Sequence, residues 1–276
     1  MKHKACRVIS CELTRQDRRI QISEVYCCAG NMQRSWVALQ GTVNLQGLLS
    51  WDRLRGAILP DMCLLCDLPA GPVPNLCADC VRALPRGAPG SRHKIVAFDY
   101  SAPVSTLIHW MKFEANLAAA LSLGVLLAEA VTRARRETGA GLPDAIMPVP
   151  LHRSRLRSRG FNQALELARP VSRRFQRPLL TRACVRNRAT QPQSGLDSPA
   201  DRRRNVAGAF SVCRPLPGIR RVAIVDDVLT TGATAGELAR TLRAAGVEQV
   251  VIWACAGRTD RSSPKLSVQV GHGQGV

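Results

Sequence analysis

The chain is poor in lysine, in acidic residues and in aromatic residues. Lysine occupies five positions, so 34 of the 39 cationic residues are arginine, and the 20 acidic residues leave a net charge of +19. Aromatic residues make up 4% of the chain, which does not favour a dedicated platform for stacking single-stranded bases. The excess of arginine favours polyanionic partners such as nucleic acid or phosphate ligands. Compositional bias is the alternative, because the arginines are spread along the whole chain.

Long apolar runs are also absent. A membrane-spanning helix needs about 18 or more consecutive apolar residues, and the nearest candidate, from Leu117 to Val131, is shorter and is interrupted by Ser122 and Glu129. This pattern predicts a buried helix and no membrane insertion. The charged segment from Met1 to Arg7 is not followed by the apolar stretch of a signal peptide, so the expected location is the cytoplasm.

One stretch carries the strongest functional signal. The short apolar run from Val222 to Val225 predicts a strand buried on both faces, and Asp226 and Asp227 follow it as acceptors for vicinal sugar hydroxyls. A loop of hydroxyl and small residues then leads into a predicted helix that begins at about Thr234. Backbone N–H groups at a helix N-terminus bind phosphate, and the loop residues that would surround it are Thr230, Thr231, Gly232, Ala233 and Thr234.

A basic segment follows another predicted strand, Asp144 to Pro150. It runs from Leu151 to Gln163 and includes Arg155, Arg159 and Gly160. Guanidinium groups bind phosphate oxygens in a bidentate way, and the carboxyl edge of a sheet is where ligands of open α/β folds bind. The segment is therefore interpreted as a pyrophosphate loop, with a solvated basic loop as the alternative.

Four of the eleven cysteines have metal-binding spacing. Two C-x-x-C pairs, Cys63 with Cys66 and Cys77 with Cys80, are separated by ten residues. Paired knuckles of this kind favour a structural zinc site over a redox dithiol. Other cysteines, among them Cys6, Cys11, Cys27 and Cys28, lie within residues 1–42, where a second metal site is the alternative to a poorly ordered extension.

Composition and periodicity divide the chain into four parts. We expect a poorly ordered extension over residues 1–42 and a zinc-ribbon module over 43–92, which begins with a helix and ends in a Pro/Gly-rich linker. Residues 93–258 alternate between strand and helix patterns, which predicts an α/β domain with a mostly parallel sheet. The long polar connection from Arg188 to Phe210 is a candidate lid, and residues 259–276 are expected to be a disordered tail.

Two family resemblances follow from these motifs. Val222 to Thr234 resembles the 5-phosphoribosyl 1-pyrophosphate (PRPP) motif of type I phosphoribosyltransferases. The order of motifs from residue 43 to 258 resembles the competence protein F (ComF) family, which joins a zinc ribbon to a type I phosphoribosyltransferase-like fold. The further motifs that carry this second resemblance are Pro148-Val149-Pro150-Leu151-His152, Arg159-Gly160-Phe161-Asn162-Gln163, Gln193 with Arg204-Asn205-Val206, and Gly208-Ala209-Phe210.

The resemblance implies a division of labour among these residues. Asp226 and Asp227 would hold the ribose hydroxyls, Thr230 to Thr234 the 5-phosphate, and Arg159 with its loop the pyrophosphate, on which Mg²⁺ would be carried. Asp226, Asp227 and Arg159 are then the candidate catalytic residues of a phosphoribosyltransferase. The acceptor is left open, because no general base stands out.

Three functions are compatible with this site. The first is transfer of a phosphoribosyl group linked to DNA uptake, and the second is a non-catalytic accessory that handles single-stranded DNA together with uptake proteins and uses PRPP or phosphate only as a ligand. A regulator with PRPP as effector is the third, although no helix-turn-helix pattern is present to support it. The sequence leaves the oligomeric state open.

Overall fold

The computed structural model describes residues 61–88, 90–190 and 198–258. The expected N-terminal extension, the helix expected after Val43, the motif residue Gln193 and the expected tail all lie outside these residues.

The described residues form strands and helices that alternate along much of the chain. The strands are β1 Lys94–Asp99, β2 Ala145–Pro148, β3 Cys184–Arg186, β4 Phe210–Val212, β5 Arg221–Leu229 and β6 Gln249–Gly257. The helices are α1 Ala78–Ala83, α2 Val104–Phe113, α3 Leu117–Thr138, α4 Arg153–Arg159, α5 Gln163–Phe175, α6 Pro199–Val206 and α7 Ala233–Ala244. This confirms the expected α/β class.

The main sheet is parallel. Its four strands lie in the order β1-β6-β5-β2, and Leu179 adds a parallel bridge beside β2. Strands β3 and β4 form a separate antiparallel pair, which a bridge between His152 and Arg186 places beside the exit of β2. The carboxyl ends of β2 and β5 therefore meet at one edge of the sheet, which we call the carboxyl edge.

Both faces of the sheet are covered, as the apolar run in β5 predicts. Ala223 and Val225 pack into the core cluster that also contains buried residues of α2, α3 and α5. Val222 and Ile224 pack into a second cluster, together with buried residues of α7. Alternate side chains of a strand point to opposite faces, so one continuous apolar run supplies both cores.

Strand β5 is longer than its apolar run. Main-chain pairing with β6 continues through Asp226, which is opposite Ala254, and ends at Leu229 opposite Gly257. The two acids therefore lie in the strand itself, whereas the sequence pattern predicted them between the strand and the helix. Main-chain hydrogen bonds fix their position more tightly than a loop would.

The expected linker also pairs with the sheet. Gly87 donates its N–H to the carbonyl of Ala97, and Asp99 donates to Pro85, so this segment runs along the outer side of β1. A Cβ at Gly87 would lie 2.3 Å from the carbonyl oxygen of Val96, which is closer than any side chain can approach. Glycine is needed here because the linker covers an otherwise open sheet edge.

Helix α3 is the long apolar helix of the described residues. By length and composition it could cross a membrane, but 61% of its most apolar window is buried inside the protein. Core helices of soluble proteins often have the same length and composition. Its buried residues, from Ala119 to Ala134, pack in the first core cluster, as expected for a core helix.

Candidate functional site

The expected sugar-phosphate loop connects β5 to α7 at the carboxyl edge. Thr230 and Thr231 are exposed, while Gly232, Ala233 and Thr234 are half-buried. Gly232 is the N-cap of α7 and has a φ of +75°, a left-handed conformation that glycine adopts without strain. The first backbone N–H groups of α7 thus lie one short loop beyond the two acids, and such groups favour an anion.

The two acids at the end of β5 have different surroundings. Asp227 Oδ2 lies 2.9 Å from Nζ of Lys112, and the two side chains are 16% and 18% exposed. Lys112 belongs to the last turn of α2, so this ion pair connects α2 to the sheet. The remaining oxygen of Asp227, Oδ1, accepts the N–H of Val228 at 2.6 Å. Asp227 is therefore held from two sides.

The surroundings of Asp226 disfavour its ionised form. Its carboxyl group is enclosed, although the residue as a whole is half-buried. Burial and the neighbouring carboxylate of Asp227 raise the pKa of Asp226 to about 7, against the opposing effects of Lys112 and Arg186. Perturbed acids of this kind are typical of functional sites.

Arg186 brings a buried cation to the same region. It is 8% exposed in β3, and its guanidinium carbon lies 5.4 Å from the ring centroid of Phe210. Burial and Arg155 lower the pKa of Arg186 to about 10, while Asp226 acts in the opposite direction. The side chain donates to the hydroxyl of Thr190. Strand β3 therefore brings a cation within electrostatic range of Asp226.

The expected pyrophosphate loop is mostly helical. Residues Arg153–Arg159 form α4, which ends at Gly160 with a φ of +79°. A segment with arginine at every second position has no apolar face to predict a helix, but His152 caps the first turn by accepting the N–H of Ser154 at 3.3 Å. The arginines thus project from a short helix at the exit of β2.

The two arginines named for pyrophosphate point to different partners. Arg155 donates through Nη2 to the carbonyl of Thr190 at 2.6 Å, so it anchors the start of the connection that follows β3. Arg159 places its guanidinium carbon 5.4 Å from the ring centroid of Phe113. Of the two, Arg159 therefore borders the residues around Asp227, because Phe113 follows Lys112 in the chain.

The last turn of α2 joins the two predicted halves of the site. Lys112 pairs with Asp227 while Phe113, 66% exposed, lies against Arg159 and against His109, whose ring centroid is 4.8 Å away. Asp227 and Arg159 therefore both border the last turn of α2. Neither Lys112 nor Phe113 is among the site residues that the sequence predicts.

A signal for Lys112 is present in the composition. The chain uses lysine at five positions and arginine elsewhere, so a lysine in an apolar helix stands out. Lysine carries a compact point charge with three rotatable donors on a flexible stem. Arg186 has no comparable signal, because it is one arginine among many.

The four predicted zinc ligands lie together. The Sγ atoms of Cys63, Cys66, Cys77 and Cys80 are all within 4.8 Å of one another, and those of Cys66 and Cys77 are 3.6 Å apart. A tetrahedral site with Zn–S bonds of about 2.3 Å separates its sulfurs by about 3.8 Å. The cluster therefore fits one zinc ion with four thiolate ligands.

Backbone groups of the knuckles support this chemistry. Burial raises the pKa of Cys63, but N–H groups directed at its sulfur, including that of Cys77, outweigh burial and lower it to about 6. Burial and the other three sulfurs raise the pKa of Cys80. One sulfur stabilised as a thiolate beside a neighbour that resists ionisation is the expected response to crowding thiols together.

The cysteine module is packed onto the rest of the described chain. Ser122 of α3 donates its hydroxyl to the carbonyl of Pro74 at 2.6 Å, and the amide of Asn75 donates to the carbonyl of Ala118 at 3.5 Å. Cys63 and Leu76 belong to the same core cluster as Leu107. The module shares its apolar core with α2 and α3.

Comparisons with curated proteins find clear relatives. The chain is 41% identical over 198 residues to DNA utilization protein YhgH of Escherichia coli (strain K12), which covers 72% of this chain and 84% of that protein. It is 38% identical over 183 residues to competence protein F of Haemophilus influenzae, covering 65% of this chain and 77% of that protein. No protein-family model matches the chain.

Comparisons with solved structures give weaker likenesses. Purine phosphoribosyltransferase from Pyrococcus horikoshii Ot3 matches 53% of this chain and 77% of its own length, with 20% identity and a TM-score of 0.30. Glutamine PRPP amidotransferase from B. subtilis, complexed with ADP and GMP, matches 48% and 25%, with 24% identity and a TM-score of 0.30.

Proposed function

The chain belongs to the competence protein F family, which includes DNA utilization protein YhgH, and on that premise we propose that it binds PRPP with Mg²⁺ at the carboxyl edge of its sheet. The observation that carries this proposal is the order of groups at the end of β5. Two acids, one of them paired with Lys112, are followed by a hydroxyl-rich loop that enters the N-terminus of α7. A ribose phosphate needs both parts.

Each part of PRPP has a matching group. Asp226 and Asp227 bind the ribose hydroxyls, the residues from Thr230 to Thr234 bind the 5-phosphate, and Arg159 on α4 binds the pyrophosphate. Mg²⁺ is carried on the pyrophosphate oxygens, which this hard cation prefers. Asp226, Asp227 and Arg159 are then the groups in contact with the reacting part of the ligand.

The reaction that this arrangement supports is displacement of pyrophosphate from the anomeric carbon of ribose by an acceptor. The carbon–oxygen bond to pyrophosphate breaks, and a bond from the acceptor to the same carbon forms. The site contributes positioning of the ribose and electrostatic stabilisation of the leaving pyrophosphate. The relatives' names, DNA utilization protein and competence protein, support a role for this activity in the handling of DNA by the cell.

Two further properties complete the proposal. The cluster of Cys63, Cys66, Cys77 and Cys80 holds a structural zinc ion, because four ligands leave no open position for a substrate. The protein acts in the cytoplasm, where PRPP and reduced thiols are both found.

Isothermal titration of the full chain with PRPP and Mg²⁺ tests the premise. We expect one binding site per chain, and binding should be lost in the variant Asp226→Ala/Asp227→Ala. Glu248→Ala is the matched control, since Glu248 is an exposed acid paired with Arg220 at the other end of the strands. Equal binding by the double variant and the native chain would contradict the proposal.

A second candidate is a DNA-handling accessory that binds PRPP without turning it over. The relatives' names and the net charge of +19 favour it. Pyrophosphate release, measured across candidate bases with and without single-stranded DNA, distinguishes the two. Release that depends on an acceptor supports a transferase, whereas PRPP binding without release under all conditions supports the accessory.

A further inference from the structure

Three arginines meet at the amino-terminal edge of the sheet, the opposite edge from the proposed PRPP site. Arg135 lies in the last turn of α3, Arg177 follows the C-cap of α5, and Arg221 begins β5. All three are half-buried. The carbonyl of Arg221 accepts the N–H of Asp144, and the carbonyl of Pro178, next to Arg177, accepts the N–H of Ile146, so both arginines flank the start of β2. The carbonyl of Ala140 accepts from Arg135, and a Cβ on the adjacent Gly141 would lie 3.0 Å from Nη1 of Arg221. Burial and the charges of Arg221 and Arg177 lower the pKa of Arg135, as expected for neighbouring cations.

These guanidinium groups have few acceptors. Arg135 donates Nε to the carbonyl of Ala140 at 3.1 Å and lies 5.7 Å from the ring centroid of Phe175. The Nε atoms of Arg177 and Arg221 are buried, and neither has a hydrogen-bond partner among residues 61–88, 90–190 and 198–258. Buried donors are almost always paired in proteins, so the described residues do not by themselves satisfy the polar groups of this cluster.

Asp144 is an acid close to this cluster, but it does not accept a hydrogen bond from the unpaired Nε atoms of Arg177 and Arg221. Its Oδ2 accepts the backbone N–H groups of Arg220 and Arg221 at 2.9 and 2.7 Å. These hydrogen bonds, Arg177 and Arg220 hold its pKa below the usual range, so it contributes one negative charge against three positive ones. The cluster keeps a local excess of positive charge together with unpaired donors.

We propose that Arg135, Arg177 and Arg221 form a second anion site, which binds a phosphate group. Guanidinium forks match the oxygens of phosphate, and one phosphate bound at these half-buried guanidinium groups would offset the excess charge. At about 3.3 Å per residue, Arg221 and Asp226 are roughly 17 Å apart along β5. The site is therefore separate from the PRPP site, and it takes either free phosphate or a phosphodiester of a nucleic-acid backbone.

Thermal unfolding of the full chain tests the site with inorganic phosphate, at ionic strength matched with sodium chloride. We expect phosphate to raise the melting temperature of the native chain by at least about 3 °C more than it raises that of Arg177→Gln or Arg221→Gln. Without phosphate, each variant should melt at or above the native temperature, because one like charge and one unpaired donor are gone. Arg240→Gln, which removes an arginine already paired with Glu237, should respond to phosphate as the native chain does.

The source of the phosphate group is tested with a labelled oligothymidylate of twenty nucleotides, whose binding is followed by fluorescence anisotropy. If the site holds nucleic-acid backbone, both variants should bind at least about fivefold more weakly, with a salt slope reduced by about 0.7 for each phosphate that the variant no longer neutralises. Unchanged oligonucleotide binding with an abolished response to phosphate assigns the site to free phosphate. Should the glutamine variants fail to fold, Arg177→Lys and Arg221→Lys keep the charge and should still lose half of the response.

Phosphate stabilisation and oligonucleotide affinity that are both unchanged in the arginine variants would overturn the proposal. A lower melting temperature in every buffer, with an unaltered increment from phosphate, would do the same, because it is the signature of a merely structural role. PRPP binding measured on the same variants should be unchanged, since the two sites lie at opposite edges of the sheet.

Discussion

Replacing Lys112 by methionine removes the cation that faces Asp227 and leaves a side chain of similar length. The ion pair is short, 2.9 Å between Nζ and Oδ2, and both side chains are more than four-fifths buried. Asp227 would then retain its hydrogen bond from the N–H of Val228 but lose its counter-charge. Lys112→Met therefore tests whether α2 is attached to the candidate site through this pair.

The expected cost follows from the separation and the burial. At 2.9 Å and an effective dielectric constant of about 20, the attraction is about 6 kcal/mol, most of which is offset in the native protein by taking two charges out of water. The variant keeps the desolvation of Asp227 and loses the attraction. We expect the free energy of unfolding to fall by about 3 kcal/mol, the lower end of the range for breaking a buried pair, because both side chains keep some contact with water.

Urea unfolding of the full chain at pH 7.5 measures this loss. The double variant Lys112→Met/Asp227→Asn should recover most of it, which gives a coupling energy of about 2 kcal/mol or more between the two positions. Both variants should bind PRPP more weakly than the native chain does. As a control, Arg169→Met breaks an exposed pair on α5 and should cost less than about 0.5 kcal/mol. A loss below that value for Lys112→Met, or no coupling to Asp227, would refute the reasoning.

Three further outcomes are expected. The purified chain should contain one zinc ion by elemental analysis, and Cys77→Ser should lose the metal and lower the melting temperature, because the module shares its core with α2 and α3. A zinc-free native chain would contradict this. Since the pKa of Asp226 is raised to about 7, the folded state binds more protons than the unfolded one between about pH 4 and 7, and its stability falls as pH rises through that window. Asp226→Asn removes this pH-dependent loss. Denaturation at pH 5 and at pH 8 should therefore show that, between these two values, the free energy of unfolding of the variant rises by about 1 to 4 kcal/mol relative to that of the native chain. Finally, Gly124→Ala should cost about 1 to 3 kcal/mol in urea unfolding, because its Cβ would lie 2.8 Å from the carbonyl oxygen of Leu167 and 2.9 Å from Cγ of Pro170. Gly236→Ala lies within α7, and no described atom outside that helix is within 4 Å of the new Cβ, so it should instead stabilise the chain by up to about 1 kcal/mol.

The parts of the site that sequence predicted well are those encoded locally. Val222 to Val225 had to be a strand covered on both faces because four consecutive apolar residues leave no polar side. The step from that strand through two acids into a glycine-capped helix needs no long-range information, and the structure has it. The cysteine cluster was predictable for a related reason, since its ligands come in two fixed short spacings.

The parts that sequence did not predict depend on contacts between distant segments. Lys112 lies 115 positions before Asp227, and no local pattern links the two. The helix at Arg153–Arg159 contains one apolar residue, so no apolar periodicity predicts it. Its first turn is instead stabilised by the cap from His152. Strand β5 extends through the acids since β6 is long enough to pair with them, which is a property of the partner strand.

Asp226 and Asp227 have unequal surroundings, and this difference predicts how the two acids would hold the ribose. The Asp227 carboxylate is paired with Lys112 and offers acceptor oxygens, whereas the pKa of Asp226 is raised to about 7 by burial and by Asp227, which favours its protonated form far more than in an exposed acid. A protonated carboxyl group can donate a hydrogen bond as well as accept one. Two vicinal hydroxyls, each able to donate and accept, are matched by one ionised and one protonated acid better than by two repelling carboxylates. Binding of ribose at this position should therefore be coupled to the protonation of Asp226, and through Lys112 to the position of α2.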